Sequence, residues 1–319
     1  MWPSAPGDIG ENFMPGVKTL FLYTESATHA GTGTGLGAVD LPIQREQTTG
    51  YPIIQGSGVK GALRSQSTAS DDDKNVVFGP ENRPNAPPTF AGAAAFGDAR
   101  MLLFPVRALN GVFVWTTCES VLARFVRDCQ PAGVPPLPPH LSGDQALVSS
   151  MDITKNGKIL LEEYLYQAKL LSNSQEVTEN WAVWLAQYAL PVDNGGVYDR
   201  HYFEALQNRL VILPDDDFRD FTLYSTQIVT RVALNDVSKT VAEGPFTMEL
   251  LPADTLLYVP ITAQTPRDVS SSFPKDSSAQ DVLDWFEPQC FDASIVPPRI
   301  QIGGDETVGY GRVALHWGV

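Results

Sequence analysis

The sequence is poor in cysteine, in histidine and in long apolar runs. It has 3 cysteines in 319 residues, at 118, 129 and 290, with no Cys-x-x-Cys pair. An odd number without that spacing argues against a disulfide framework and a cysteine-based zinc site, and predicts free thiols in a reducing cytoplasm. The 4 histidines, His29, His140, His201 and His316, are scattered and form no H-E-x-x-H stretch. Apolar runs such as 101–104 and 111–115 fall far short of the roughly 20 residues that cross a bilayer. Residues 1–16 have neither the basic nor the apolar region of a signal peptide. The expectation is a cytoplasmic protein with no membrane partner.

Positive charge is also scarce. The net charge is −15 and the isoelectric point about 4.6, which taken alone speaks against a nucleic-acid binder. The deficit is uneven. Residues 1–130 hold 10 Lys/Arg against 12 Asp/Glu, whereas residues 131–319 hold 12 against 25. A locally positive groove built from the first part remains open. The chain is 43% hydrophobic, enough to bury a core of one large domain.

Residues 1–16, with three prolines and three glycines, read as a flexible arm, and 17–319 as a single domain with insertions. Residues 17–24 predict a buried strand. Residues 56–66 predict a helix with Ser57 as its N-cap. Residues 70–97 read as loop, with Asp71–Asp73 solvated. Residues 100–108 and 112–117 predict a hairpin turning at Asn110-Gly111. Helices are expected over 119–129, 177–189 and 199–208. Residues 158–171 are mixed. Asp215–Asp217 read as acids at the positive end of a helix. Residues 223–233 and 246–251 predict a long hairpin with a polar tip. A strand over 255–262, a helix over 279–286 and two strands around a glycine-rich loop close the chain. This mixture fits an α+β fold of the ferredoxin/RRM type with large insertions.

Four places carry candidate chemistry. Gly33, Gly35 and Ala38 match the spacing G-x-G-x-x-A, but the dinucleotide fingerprint needs a helix to open there. Pro42 pushes the chain away from one, which disfavours a nucleotide-cofactor enzyme. Lys60 and Arg64, four apart, share one helix face beside a glycine-rich start. That face suits a phosphate, or is simply solvated. Gly303, Gly304, Gly309 and Gly311 lie within nine residues. They either let a ligand backbone pass close to the chain or form a plain hairpin. His29 and Asp40 flank the N-terminal glycine-rich loop. They suit acid/base work or, for Asp40, a metal, and equally suit a loop residue and a turn former.

Together these pieces resemble one family. The run E-S-A-T-H-A-G-T-G-T-G-L-G-A-V-D-L-P-I-Q-R-E, continuing to G-S-G-V-K-G-A-L-R, is similar to the start of the RAMP backbone subunits of type III-B CRISPR (Cmr) effector complexes. F-G-D-A-R-M-L-L-F-P-V-R, T-R-V-A-L-N-D-V-S-K-T-V-A-E-G and I-Q-I-G-G-D-E-T-V-G-Y-G-R extend the likeness in order along the chain. The resemblance implies a modified RRM-like palm, a helical finger insertion and a β-hairpin thumb, here about residues 224–251. It implies copies stacked head to tail on a CRISPR guide RNA beside other Cmr subunits. It further implies cleavage of complementary target RNA at regular intervals with a divalent metal, Mg2+ or Mn2+. Asp40 falls at the catalytic and metal position and His29 at the histidine before the loop. Ser57, Lys60, Arg64, Gly303, Gly304, Gly309 and Gly311 fall at guide-RNA contacts.

RNA brings its own nucleophile, the 2′-hydroxyl, so a ribonuclease need only align it and manage protons and charge. The expected ends are 2′,3′-cyclic phosphate and 5′-hydroxyl. One carboxylate is a sparse site, and Glu243 and Glu249 on the hairpin are candidate second carboxylates. The rival is a structural RNA scaffold of the same type that does not cut and would not need Asp40.

Overall fold

The computed structural model describes residues 16–35, 37–81, 90–235, 238, 240–292 and 294–318. Nearly all of the N-terminal arm lies outside them. The elements run β1 (Val17–Thr24), β2 (Ile53–Ile54), α1 (Gly56–Gln66), α2 (Asp71–Phe78), β3 (Ala94–Phe96), β4 (Ala99–Ala108), β5 (Val112–Cys118) and α3 (Glu119–Cys129). Next come β6 (Gln145–Val148), β7 (Lys158–Leu161), β8 (Tyr164–Leu170), α4 (Trp181–Tyr188), α5 (Phe203–Arg209), β9 (Leu210–Leu213) and α6 (Asp215–Tyr224). The chain closes with β10 (Gln227–Leu234), β11 (Val241–Leu250), β12 (Leu256–Ala263), α7 (Ala279–Gln289), β13 (Arg299–Gln301) and β14 (Arg312–Trp317).

Twelve of these strands form one sheet, and β10 and β11 stand apart as a hairpin. At the centre the order is β14-β1-β12-β4, all antiparallel. Helix α1 falls in the connection from β1 to β4, and α7 in that from β12 to β14. The fold is α+β with a sheet core. Its centre is aromatic. Phe125 of α3 meets Phe21, Trp184 and Tyr258 at ring-centroid distances of 5.8, 5.6 and 5.1 Å. Val121, Leu122, Phe125 and Cys129 recur at helical spacing and are all buried, which is why 119–129 is a helix. Each fully buried side chain of this size contributes about 1.5–3 kcal/mol of transfer free energy.

Several expectations need correction: the helix expected over 177–189 begins only at Trp181, and the stretch 70–97 read as loop holds strand β3 as well as α2. Asp71–Asp73 do not lie in a loop: they are the first turn of α2, where Ser70 caps the helix by accepting from Asp73 N–H. Three carboxylates there favour the positive helix end. Leu223 does not start a strand, because α6 runs on to Tyr224. The Asp215–Asp217 triplet sits in the first turn of α6 as expected.

His316 of β14 lies opposite Phe21 of β1, with ring centroids 6.2 Å apart. Burial holds its imidazole down to about 4 from the ordinary 6.5. The unfolded chain therefore takes up a proton here as pH falls through about 6.5, and the folded chain does not until about 4. Stability from this group is complete above that window and falls within it, by at most about 1.4 kcal/mol per pH unit. His316→Phe should flatten that slope, which thermal melts at pH 7 and pH 5 will measure.

Candidate active site

Strand β11 pairs with β10 along one edge. Its other edge holds two separate pieces of the N-terminal glycine-rich loop. Leu41 N–H donates to the Thr247 carbonyl at 3.0 Å, and Glu249 N–H donates to the Leu41 carbonyl at 2.9 Å. One step further along, Thr28 and Leu251 exchange both backbone hydrogen bonds, at 2.8 and 2.9 Å. The hairpin base is thus stitched to residues 28 and 41, and the loop between them is held at both ends.

This stitching places Asp40. The Thr247 N–H and Oγ–H both donate to Asp40 Oδ2, at 2.7 and 2.8 Å. Asp40 N–H donates back to Thr247 Oγ at 3.0 Å. The backbone bond from Thr247, then its hydroxyl, hold the Asp40 carboxyl below the usual carboxylate range. Asp40 is therefore an ionised, exposed carboxylate at neutral pH. Its Oδ1 accepts no hydrogen bond from any other described residue.

His29 is fixed on the same edge. Its Nδ1 lies 2.8 Å from the Glu249 carbonyl. A carbonyl only accepts, so the ring donates from Nδ1 and Nε2 is the nitrogen left over. The ring lies over Gly31, where a β-carbon would come within 2.4 Å of Nε2. Asp40 and His29 are thus anchored at Thr247 and Glu249, two residues or about 7 Å apart along β11.

Glu249 is not a second catalytic carboxylate. It is 6% exposed. It accepts from Ile43 N–H at 3.1 Å and Thr226 Oγ–H at 2.8 Å, and pairs with Arg45. Arg45 in turn donates to the carbonyls of Gly50 and Thr222. The pair is a buried strut that holds the loop, α6 and the hairpin together. The side chain of Glu243 lies outside the described residues.

The C-terminal glycine-rich loop packs against His29. Gly304 N–H donates to the His29 carbonyl at 3.0 Å. Gly303 has φ +86°, and a β-carbon there would lie 2.4 Å from that same carbonyl oxygen. Gly311 has φ +79°, and its β-carbon would lie 2.2 Å from the Ile302 carbonyl oxygen. Gly309 shares the positive φ, at +87°, and Gly304 does not; both differ from Gly303 and Gly311 in the space around them. A β-carbon on Gly304 meets only the His29 ring at 3.8 Å, and one on Gly309 meets nothing within 4 Å. Asp305 pairs with Arg231 of β10 at 2.8 Å, and Arg231 lies over the Tyr310 ring. One of the loop's two acids, Asp305, is therefore neutralised by the hairpin, and among the described residues Glu306 is not.

Helix α1 begins as expected at Gly56, but Ser57 is not its N-cap. Gln55 holds that position with no side-chain bond, and Asp98 accepts from Gly56 N–H at 2.8 Å. Ser57 lies exposed in the first turn. Gly58 and Gly61 are exposed beside it, and Lys60 makes no hydrogen bond or ion pair through its ammonium among the described residues. Arg64 does not share that freedom. It donates to the carbonyls of Lys74 and Gly79 and to Asn75 Oδ1, at 2.9, 2.6 and 2.8 Å. Those contacts fasten α2 to α1, so Lys60 is the cation of the pair whose charged group stays unengaged among the described residues. Gln44, which sequence reasoning missed, ties α1 to the loop: its Oε1 accepts from Gln55 N–H at 2.8 Å and its Nε2 donates to the Gly31 carbonyl at 3.1 Å.

The structure thus brings His29, Asp40, Gly303 and Gly304 to one end of β11, with Ser57 and Lys60 joined on through Gln44. A carboxylate, an imidazole and open glycine-lined backbone together suit proton transfer on a polyanion. Among the described residues no group of three or more His, Cys, Asp or Glu side chains is placed to hold a metal ion, and no helix is long and apolar enough to cross a membrane.

The RAMP superfamily model matches residues 21–314, and the chain belongs to that superfamily. It is similar to the CRISPR system Cmr endoribonuclease Cmr4 of Pyrococcus furiosus, at 36% identity over 302 residues, covering 92% of this chain and 93% of that one. The crystal structure of oligomeric Cmr4 from Pyrococcus furiosus superposes with a TM-score of 0.67 at 29% identity, covering 95% of this chain and 97% of that one. A chain in the cryo-EM structure of the type III-B Cmr-beta complex bound to cognate target RNA shares the fold, with a TM-score of 0.63 at 18% identity, covering 94% and 96%.

Proposed function

We propose that this chain is the repeating backbone subunit of a type III-B CRISPR complex. It binds guide RNA and cuts complementary target RNA at regular intervals, with Asp40 acting at the scissile phosphodiester. The observation that carries the reading is the Asp40 carboxylate, held ionised by Thr247 on an open loop of a chain 36% identical to a Cmr endoribonuclease. The β14-β1-β12-β4 order, with α1 and α7 in the crossovers, supports an RRM-like palm. The β10–β11 hairpin is the thumb, and the helices between β5 and β10 carry the finger insertion. Further copies of the chain, other Cmr subunits, guide RNA and target RNA are its partners.

In this reading Asp40 takes or orients the 2′-hydroxyl proton, and the 2′-oxygen attacks the adjacent phosphorus in line. As the P–O5′ bond breaks, the 5′-oxygen takes a proton from His29 Nε2–H, two strand positions away, with the ring in its imidazolium form because Nδ1–H already faces the Glu249 carbonyl. The products carry 2′,3′-cyclic phosphate and 5′-hydroxyl ends. A magnesium or manganese ion would be held by Asp40 with RNA phosphate oxygens and water, the donor set that small hard cations take. When bound it supplies neutralising charge at the phosphate. The test is end-labelled target incubated with the assembled complex, with and without chelator. A regular ladder whose fragments accept a 5′ phosphate from a kinase without prior phosphatase is expected. Intact target would overturn the reading.

Thr247 gives this account a pH signature. Thr247→Val keeps the strand and the backbone N–H but removes the hydroxyl that bonds Asp40. The Asp40 carboxyl should move back up toward its ordinary value, so the acid limb of the rate profile should shift to higher pH. The plateau rate should drop roughly tenfold as Asp40 loses its orientation. Single-turnover cleavage followed from pH 8 down to about pH 3, below the ordinary carboxylate value, measures both, and guide binding should not change.

A further inference from the structure

Strands β7 and β8 form a ribbon whose two sides carry opposite chemistry. Lys158 lies across from Gln167, and Leu160 across from Leu165. These four share one side, and the two-residue period of a strand puts Lys169 with them. Leu109 and Lys155 extend that side around a shallow groove of about 330 Å³. Leu109 is 67% and Leu165 51% exposed. In a chain of net charge −15, the ammonium groups of Lys155, Lys158 and Lys169 have no carboxylate partner among the described residues.

The other side of the ribbon faces α6 and the start of the thumb hairpin. Glu162, Glu163, Asp217 and Asp220 line a groove of about 360 Å³ there with Tyr164, Phe221 and Tyr224. No Lys or Arg lines it; Arg107 and Arg219 pair with Glu162 and Asp220 from its rim, at 2.7 and 3.1 Å, and leave the groove net acidic. The Tyr164 ring meets Phe221 edge-on at 5.7 Å. Tyr224 is 81% exposed, an unusual position for a large ring on a surface with nothing against it.

We propose that the lysine–leucine side of one copy seats in the tyrosine–carboxylate groove of the next, joining neighbouring copies head to tail. The sides match in charge, and each offers apolar area inside a charged rim, the anatomy of a protein interface. Leucines have nothing to offer a phosphate, so the partner is protein and not RNA. The two surfaces differ and lie on opposite sides of one ribbon. A contact between them is heterologous, so it repeats from copy to copy, as a stack or a ring according to the rotation at each step, and does not form a two-fold dimer. The inference rests on the backbone reading above, but neither surface includes Asp40 or His29, so it stands or falls apart from cleavage.

Charge reversal on exposed side chains tests it. Lys155→Glu/Lys158→Glu makes both surfaces acidic, and Glu163→Lys/Asp220→Lys makes both basic. Each double variant should need at least tenfold more protein to assemble, read by sedimentation with and without guide RNA. An equimolar mixture of the two should assemble like wild type, because each surface again meets its opposite. The quadruple variant should do so alone. Matching thermal melts show that the fold is intact. Doubles that assemble like wild type, or a mixture that fails to rescue them, would overturn the proposal. So would a wild-type chain that stays monomeric throughout, or a Lys155→Glu/Lys158→Glu variant that loses RNA binding while assembly is unchanged.

Discussion

Asp40→Ala should leave the guide-bound complex assembled and able to bind target while cleavage falls by 10²-fold or more, the range that loss of a positioned acid or base produces. The side chain is exposed and its bonds run only to Thr247. The cost to stability should stay within about 1 kcal/mol, as for other surface changes. The Leu41–Met248 bridge holds the loop to β11 through backbone groups that the substitution does not touch. Asp40→Asn separates charge from shape. An amide can still accept from Thr247, so the loop should keep its place, but it cannot take a proton. The rate should fall as far as for alanine. Single-turnover rates on labelled target, beside melts of the same samples, give both numbers. Full activity in Asp40→Asn would mean that the residue only holds the turn.

The second large effect concerns the fold. Gly303→Val and Gly311→Val should each prevent accumulation of folded protein. Both positions need positive φ, and at both a β-carbon would lie 2.2–2.4 Å from a backbone carbonyl oxygen that cannot swing aside. At Gly303 that oxygen belongs to His29, so relief of the clash would also displace the imidazole. Gly304→Ala is the contrast: its β-carbon meets only the edge of the His29 ring at ordinary contact distance. That variant should melt within a few degrees of wild type. If the loop also passes an RNA backbone, Gly304→Val should weaken RNA binding before it weakens the fold. The reverse order would make all four glycines structural. Soluble yield, melting temperature and guide-RNA affinity across the series distinguish these outcomes.

These two predictions draw on different amounts of sequence information. Strand β1 and helix α3 were legible to the residue because an unbroken apolar run and a helical period need no distant partner. Helix α2 was hidden because its three aspartates and flanking prolines look like a loop until Ser70 is recognised as a cap. Leu223 and Tyr224 suit a strand on propensity but continue α6, whose Phe218 and Phe221 are buried. At the site, His29 and Asp40 were visible as chemistry-bearing residues beside glycines. Thr247 was not, since it lies 207 residues from Asp40 and nothing in its local spacing marks it. Arg64 shows the converse. Its helix face was legible, but the three acceptors on and after α2 that occupy it were not. Glu249 likewise read as a free carboxylate until the fold buried it against Arg45.

The central claim is that each copy of this chain in the complex cuts the target at its own position through its own Asp40. Complexes assembled from mixtures of wild-type and Asp40→Ala chain test it directly, with end-labelled target resolved on a denaturing gel. If each copy cuts for itself, the initial cutting rate at every rung of the ladder falls in proportion to the fraction of variant chain, and the spacing of the rungs stays fixed. Rungs that keep their full rate as variant chain replaces wild type would place the cutting elsewhere and contradict the account.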